Sequence, residues 1–271
     1  MDSLVYRGPG WLGSEWRQVM CWCGPAGYLL EIDAVGGFTV IPDGATVLLD
    51  RVEPRADWQA VREVALGPAL ILALALQDTW CLHASAAVLH DRAIAFLGES
   101  GKGKSTLAAF LGAGAGAVWR LLADDVLPVR LGPDGLEALP HFPQLKLSPE
   151  EQPSLGMPEQ LPLDAVYLLE KPPTNQGGVD SRPLGPRDAM LALVRHTVAA
   201  RLFDRRLLAR HMRFCAQTAA CIPVRRLSYP HEYALLPRVG DALAADLQTP
   251  GGGRWSPHSV ADGADTEGEQ G

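Results

Sequence analysis

The sequence predicts an α/β protein in which a small β-rich lobe precedes a larger mixed domain. Short apolar runs separated by turn residues fill positions 1–57, whereas strand and helix patterns are mixed over positions 58–248. In the second part, a glycine-rich turn lies between an apolar strand and a helix. A chain of 271 residues is long enough for one such domain with an appendage.

The first lobe, 1–57, is predicted from four β-like runs. These runs read Q-V-M-C-W-C, Y-L-L-E-I-D, G-F-T-V-I and T-V-L-L-D, and turn signals such as G-P, G-G and P-D-G separate them. Positions 58–77 are then expected to form a helix that is mostly apolar after its first turn.

The second part, 58–248, is predicted to form one domain. Strands are expected at 81–89, 93–97, 119–126, 128–131, 136–139, 165–170 and 222–228, and a short helix at 104–111. Longer helices are expected at 186–198, where Pro186 suits the first position, and at 232–247. A further helix at 204–220 has the predicted apolar stripe Leu208, Met212, Cys215 and Ala219. The tail, 249–271, has the composition of a disordered segment.

The composition is that of a soluble globular protein, with 47% hydrophobic and 20% charged residues. A net charge of −7 argues against nucleic acid as a partner, because nucleic-acid binders usually carry a basic surplus. The five cysteines form no C-x-x-C pair, which predicts free thiols in a reducing cytosol. No signal-peptide pattern is visible, and the longest apolar run, 65–76, is too short to cross a bilayer. We therefore expect a cytoplasmic protein without a membrane partner.

The glycine-rich turn at 98–106 reads G-E-S-G-K-G-K-S-T and matches the pattern G-x-x-x-x-G-K-[S/T]. Glycines allow successive backbone N–H groups to converge on phosphate oxygens, and the dipole of the following helix favours the same charge. Lys104 is expected to reach the β- and γ-phosphates, and Ser105 to bind Mg²⁺. The predicted polyphosphate site comprises Gly98, Glu99, Ser100, Gly101, Lys102, Gly103, Lys104, Ser105 and Thr106.

A second motif, L-L-A-D-D-V at 121–126, is an apolar strand that ends in two acidic residues. One carboxylate, of Asp124 or Asp125, can complete the Mg²⁺ shell, and the other can take a proton from an attacking hydroxyl. The alternative is an acidic pair that merely starts a turn. His83 lies on the strand that leads into the hairpin before the glycine loop, so it is expected to face the γ-phosphate. The alternative for His83 is a structural histidine.

The segments L-H-A-S-A-A-V-L (82–89), G-E-S-G-K-G-K-S-T (98–106) and L-L-A-D-D-V (121–126) together resemble the catalytic domain of HPr kinase/phosphorylase. The resemblance is strong over about 80–130 and weak from there to 248. It implies a P-loop kinase domain of the HPr kinase and phosphoenolpyruvate carboxykinase type. It also implies that His83 lies near the transferred phosphate, that Asp124 is the acid/base residue, and that Ser105 and Asp125 bind magnesium.

The chain departs from that family in three respects. Thr106 stands where the family usually has glutamate, no Pro-Gly-Arg-Asn-like stretch is present, and the N-terminal lobe differs. The chain is more similar to the HPr-kinase-like group of lasso-peptide gene clusters, which phosphorylates the C-terminal serine of a precursor peptide. The stretch at 140–149 is similar to one in that group. Lys146 in this stretch is a candidate phosphate or carboxylate contact, or a surface lysine after a proline turn.

Several arginines on and before the predicted helix 204–220 raise the question of a partner. Arg206, Arg210 and Arg213 share one helical face. This face is either solvated or a docking ridge for a peptide carboxylate or phosphate, since guanidinium groups suit both anions. Arg201, which precedes the helix, is an independent candidate.

The sequence thus predicts an ATP- and Mg²⁺-dependent phosphotransferase that acts on a peptide serine, with a lasso-type precursor as the expected acceptor. Two alternatives remain open: a kinase or kinase/phosphorylase of a folded HPr-like protein, and a nucleotide-binding sensor or transport ATPase. The missing L-S-G-G-Q signature argues against the transport ATPase, and the paired Asp with His83 argues against the sensor. The sequence is compatible with a homo-oligomer.

Overall fold

The structure, a computed structural model, describes residues 2–12, 15–114, 119–145, 147, 157–171 and 178–248. Lys146 and the predicted tail, 249–271, lie outside the described residues. The described part is a mixed α/β protein with a five-stranded sheet near the N-terminus and a nine-stranded sheet after it.

The first five strands form an antiparallel meander in chain order. They are β1 (Ser3–Leu12), β2 (Glu15–Gly24), β3 (Gly27–Ile32), β4 (Gly36–Val40) and β5 (Val47–Val52). Gly27 and Gly36 begin strands with φ of +116° and +147°, and a Cβ atom at either position would collide with a backbone carbonyl oxygen of the neighbouring strand. The buried face of this sheet belongs to the same hydrophobic cluster as the second sheet, so the two parts share a core.

The predicted helix at 58–77 is divided into three parts. Helix α1 (Trp58–Val64) and helix α2 (Leu70–Leu76) flank a π-helical turn, Ala65–Ala69. Gly67 has non-helical angles (φ −102°, ψ −109°), and Pro68 has no N–H to donate to the helix. By length and composition alone the whole segment would suffice to cross a membrane, a test that the core helix of a folded domain also passes. Part of it is buried in the protein, and the absence of a membrane partner stays a prediction.

The second sheet and its helices follow in the order β6 (Trp80–His83), β7 (Ser85–Leu89), β8 (Arg92–Leu97), α3 (Lys104–Ala113), β9 (Trp119–Ala123), β10 (Val126–Gly132), β11 (Gly135–Ala138), β12 (Leu161–Glu170), β13 (Asp180–Pro183), α4 (Pro186–Arg195), α5 (Arg205–Cys221), β14 (Val224–Ser228) and α6 (Leu236–Gln248). Its strand order is β6-β10-β11-β12-β8-β7-β9, with β14 paired to β12 and to β13. Strand β12 runs parallel to β8 and to β14. The carboxyl end of β8, from which the glycine loop emerges, therefore lies inside the sheet.

The predicted single strand at 81–89 is wrong, because it breaks at Ala84. Strand β6 pairs with β10, whereas β7 pairs with β8 and β9. At the break the His83 N–H donates to the His196 carbonyl (2.6 Å) and the Ala84 N–H to the Asp125 carbonyl (3.2 Å). This change of backbone partner brings His83 beside the turn that follows β9.

The predicted apolar stripe of α5 is also partly wrong, since Leu208 is 42% exposed. The buried face instead contains Leu207, His211, Phe214, Cys215 and Thr218. The rings of His211 and Phe214 pack against Trp80 of β6, at centroid distances of 5.1 and 5.8 Å. Packing on this large aromatic residue, which helical periodicity alone cannot reveal, sets the rotation of the helix.

Candidate phosphate-transfer site

The glycine loop connects β8 to α3 through a backbone that only glycine adopts readily. Gly98, Gly101 and Gly103 have φ of +147°, +77° and +84°. A Cβ atom at Gly98 would also lie 3.2 Å from the Leu169 carbonyl oxygen of β12. Helix α3, ten residues long, begins without a side-chain cap, so its first N–H groups are available to an anion. The loop has the conformation that a phosphate-binding turn requires.

Lys104, the first residue of α3, folds back across this loop. Its side chain is almost entirely buried, and the Nζ atom donates to the carbonyl oxygens of Gly98 (2.8 Å) and Glu99 (3.4 Å). The same Nζ atom lies 3.3 Å from Nε2 of His83. A cation held in this position can pair with a phosphate that binds to the loop.

His83 connects the loop lysine to the acidic turn. Its Nδ1 atom lies 3.2 Å from Oδ1 of Asp125, while Nε2 faces Lys104. Because an ammonium group can only donate and a carboxylate accepts, these partners assign the proton of a neutral ring to Nδ1. His83 therefore orients both Asp125 and Lys104.

Asp124 and Asp125 follow the last residue of β9 and contact different partners. Oδ1 of Asp124 accepts a 2.6 Å hydrogen bond from the hydroxyl of Ser85, a fully buried residue of β7. Asp125 turns toward His83 instead and has a φ of +95°, which is unusual for a residue other than glycine. The strained turn thus places two adjacent carboxylates in different environments.

Gln144 fixes the acidic turn from the other side, and sequence reasoning did not single it out. Its Oε1 accepts from the backbone N–H of Asp124 (2.9 Å), and its Nε2 donates to the carbonyls of Val126 (2.9 Å) and Phe142 (3.2 Å). The side chain is 3% exposed. A buried amide with both ends paired to backbone is a positioning element. The feature of the sequence that could have indicated Gln144 is its position in the stretch 140–149.

His196 at the end of α4 is a second residue that the sequence did not reveal. It is buried, and its carbonyl oxygen accepts from the His83 N–H. Burial lowers the pKa of His196; Glu99 opposes this change, whereas Lys104 and His83 add to it. The imidazole is therefore neutral at pH 7, and it adds no charge beside Lys104.

Two clefts border this constellation. The first, of about 500 Å³, contains Asp124, Asp125 and Gln144 on one side and Trp11 and Arg201 on the other. The second, of about 520 Å³, lies against the glycine loop and is lined in part by Gly98, Glu99, Lys102, Arg195 and His196. Volumes of this size are typical of small-molecule sites.

The structure places the predicted residues as follows. His83, Lys104 and Asp125 form one chain of contacts, Asp124 lies on the same turn, and Ser105 and Thr106 are exposed at the start of α3. Arg201 lines the first cleft, whereas Arg206 and Arg210 on α5 line neither cleft. Arg210 is paired with Asp78 (2.7 Å) and so connects α5 to the end of α2.

Within the described ranges, no group of three or more His, Cys, Asp or Glu side chains is arranged to hold a metal ion. Magnesium in phosphate sites usually takes one or two protein oxygens and completes its shell with water and phosphate. The Ser105 hydroxyl at the helix start and the Asp125 carboxylate, which His83 links to Lys104 of the same helix, are oxygen donors of that kind. The donor set therefore fits Mg²⁺ bound together with a nucleotide.

No protein-family model matches the chain, and no match is found among curated proteins. Among solved structures, the chain is similar to the Hpr(Ser) kinase/phosphatase from Coxiella burnetii. That similarity has 16% sequence identity and a TM-score of 0.35, and it covers 62% of this chain and 95% of the other. A TM-score this low supports no conclusion about function, so the functional argument depends on the site itself.

Proposed function

We propose that this protein is a phosphotransferase that moves the terminal phosphate of ATP, with Mg²⁺, to a serine hydroxyl. The observation that carries the proposal is the continuous chain from the loop carbonyls through Lys104 and His83 to Asp125, with Asp124 beside it. This chain joins the glycine loop to one carboxylate and a second lies beside it, and a site that only binds nucleotide does not need both.

On the nucleotide side, the loop N–H groups and Lys104 would hold the phosphates. Ser105 and Asp125 would hold Mg²⁺, which when bound neutralises charge on the phosphate oxygens. His83 keeps the Asp125 carboxylate and the Lys104 ammonium apart and oriented before any ligand binds. The second cleft adjoins the loop and is large enough for the rest of a nucleotide.

On the acceptor side, Asp124 would take the proton of the attacking serine hydroxyl. Asp124 lines the first cleft, and the hydrogen bond from Ser85 fixes the orientation of its carboxylate. Because phosphoryl transfer has a loose transition state, the proton moves late, and a positioned carboxylate can receive it.

The choice of acceptor rests on two sequence resemblances: that of 82–89, 98–106 and 121–126 to HPr kinase/phosphorylase, and that of 140–149 to the HPr-kinase-like group of lasso-peptide gene clusters. We propose a peptide serine, with a lasso-type precursor as the first candidate and a folded HPr-like protein as the second. A cytoplasmic location agrees with this function.

The test compares Lys104→Met with Arg187→Met, which removes an exposed cation of α4 that lines neither cleft. We expect Lys104→Met to reduce transfer of labelled γ-phosphate to a serine peptide by at least about 10²-fold, and Arg187→Met to leave it unchanged. Affinity for a fluorescent ATP analogue is measured in parallel. Near wild-type transfer by Lys104→Met, or wild-type protein that binds ATP but phosphorylates neither peptide nor HPr-like protein, would contradict the proposal.

A further inference from the structure

The first cleft lies between the N-terminal sheet and the acidic turn, and no residue of the glycine loop lines it. Strands β1 to β3 supply one wall through Gly10, Trp11, Leu12, Val19, Leu30 and Ile32. We propose, on the basis of the proposed function, that this cleft binds the acceptor as an extended polypeptide segment carrying an apolar side chain and a carboxylate near the phosphorylated hydroxyl. The N-terminal sheet is then the substrate-recognition element.

Two exposed tryptophans at the rim of the cleft can bind an apolar side chain of the acceptor. Trp11 near the end of β1 is 58% exposed, and Trp16 at the start of β2 is 66% exposed. Their rings meet edge to face with centroids 5.4 Å apart, so the two indoles pack on each other. An exposed aromatic pair beside a cleft is typical of a binding anchor, because tryptophan buries a large area at little entropic cost. An apolar side chain of the acceptor would pack on Trp11.

Arg201, which precedes α5, can bind a carboxylate of the acceptor. Its Nη1 atom donates to the Pro9 carbonyl oxygen (3.2 Å), and its guanidinium carbon lies 5.2 Å from the centroid of the Tyr6 ring. Arg201 is thus held against β1, yet within the described ranges it forms no ion pair with a carboxylate. A guanidinium group fixed in this way and not neutralised is suited to an anion that enters the cleft.

The backbone of β1 beside this arginine forms part of the cleft wall. Gly10 lines the cleft between Pro9 and Trp11, and a Cβ atom there would lie 2.8 Å from the Val19 side chain, so glycine fits at this position without displacing Val19. Strand β1 is an edge strand of its sheet, so in the described part of the chain one side of its backbone has no strand partner. An extended segment can therefore approach β1 closely and make backbone hydrogen bonds as well.

The opposite end of the cleft determines where the acceptor hydroxyl lies. Asp124, Asp125 and Gln144 belong to the same lining as Trp11 and Arg201. A segment that places its apolar side chain on Trp11 and its carboxylate at Arg201 therefore occupies the same cleft that Asp124, the proposed base, lines. A folded protein that presents only a convex surface would not fill it.

The experiment uses the full chain and synthetic peptides of about ten residues that end in Leu-Gly-Ser, with a free or an amidated C-terminus. Trp11→Ala and Arg201→Gln are compared with Trp58→Ala and Arg205→Gln, which change an exposed tryptophan and an exposed arginine outside the cleft. The readouts are kcat and KM for the peptide, anisotropy of a labelled peptide, and affinity for a fluorescent ATP analogue.

We expect Trp11→Ala to raise the peptide KM and Kd by about tenfold or more, with nucleotide affinity and kcat near wild type. Amidation should raise KM about tenfold for the wild-type protein and have no effect on Arg201→Gln. Wild-type protein that phosphorylates no acceptor would overturn the proposed function. If it phosphorylates the free peptide, but Trp11→Ala and Arg201→Gln match their controls, the cleft assignment alone is wrong. Use of a folded protein with no use of any peptide would overturn the extended-segment assignment.

Discussion

Replacement of Gln144 by alanine tests whether this side chain positions the acidic turn at Asp124 and Asp125. Within the described residues, the Gln144 amide makes three hydrogen bonds to backbone, one to the Asp124 N–H and two to the carbonyls of Val126 and Phe142. Because the side chain is almost fully buried, truncation removes these partners from groups that water reaches poorly.

The expected loss of stability follows from the number of hydrogen bonds that the substitution removes. At about 1 kcal/mol for each bond, Gln144→Ala should lower the free energy of unfolding by about 3 kcal/mol. The proposed base would also lose its fixed backbone, so kcat should fall by about 10- to 100-fold, less than the full contribution of a positioned base. Affinity for nucleotide should change little, because Gln144 lines the first cleft and is not among the residues that line the cleft beside the glycine loop.

Urea denaturation and steady-state kinetics on the serine peptide measure the two effects separately. Gln77→Ala is the matched control, since this glutamine donates one hydrogen bond to the Gly44 carbonyl far from the turn. Gln77→Ala should cost about 1 kcal/mol of stability and leave kcat unchanged. In an Asp124→Asn background, Gln144→Ala should lower kcat no further. The reasoning is refuted if Gln144→Ala loses stability but keeps wild-type kcat, or if its kcat loss is the same without the Asp124 carboxylate.

Three further outcomes are expected. Asp124→Asn should lower kcat at least about 10²-fold and keep nucleotide binding. Asp125→Asn should weaken Mg²⁺-dependent nucleotide binding and recover partly at higher Mg²⁺, so kinetics over a series of Mg²⁺ concentrations distinguishes the two variants. Burial lowers the pKa of His211 to about 4, well below its value in the unfolded chain. As the pH drops from 6.5 to 4, the imidazole therefore takes up a proton in the unfolded state but not in the folded state, and the free energy of unfolding should fall by about 3 kcal/mol. His211→Leu should lack this fall in urea titrations at the two pH values, and an equal fall would show that His211 is not its source. Gly98→Ala should weaken ATP-analogue binding, because of its φ and the nearby Leu169 carbonyl, while Gly185→Ala, with open space around it, should not; equal affinities would contradict the loop argument.

Much of the secondary structure could be predicted from local pattern. Pro186 lies at the N-terminus of α4 as predicted, and α5 begins one residue after the predicted position, with Asp204 as its cap. Two of the predictions that failed, the single strand at 81–89 and the apolar stripe of α5, share a reason. The break at Ala84 and the rotation of α5 depend on distant partners, the Asp125 carbonyl and the Trp80 ring, which local periodicity does not contain.

The sequence by itself determined the glycine loop, its lysine and the two adjacent Asp residues, because each motif is contiguous and its chemistry depends on neighbours in the chain. Only the tertiary structure decided that His83 contacts both Lys104 and Asp125, that Ser85 and Gln144 hold Asp124, and that Trp11 lies on the same cleft. These contacts join residues that are 20 to more than 100 positions apart. They arise from the strand order of the sheet and from the packing of the N-terminal sheet on a common core, which a single sequence read by local pattern does not specify.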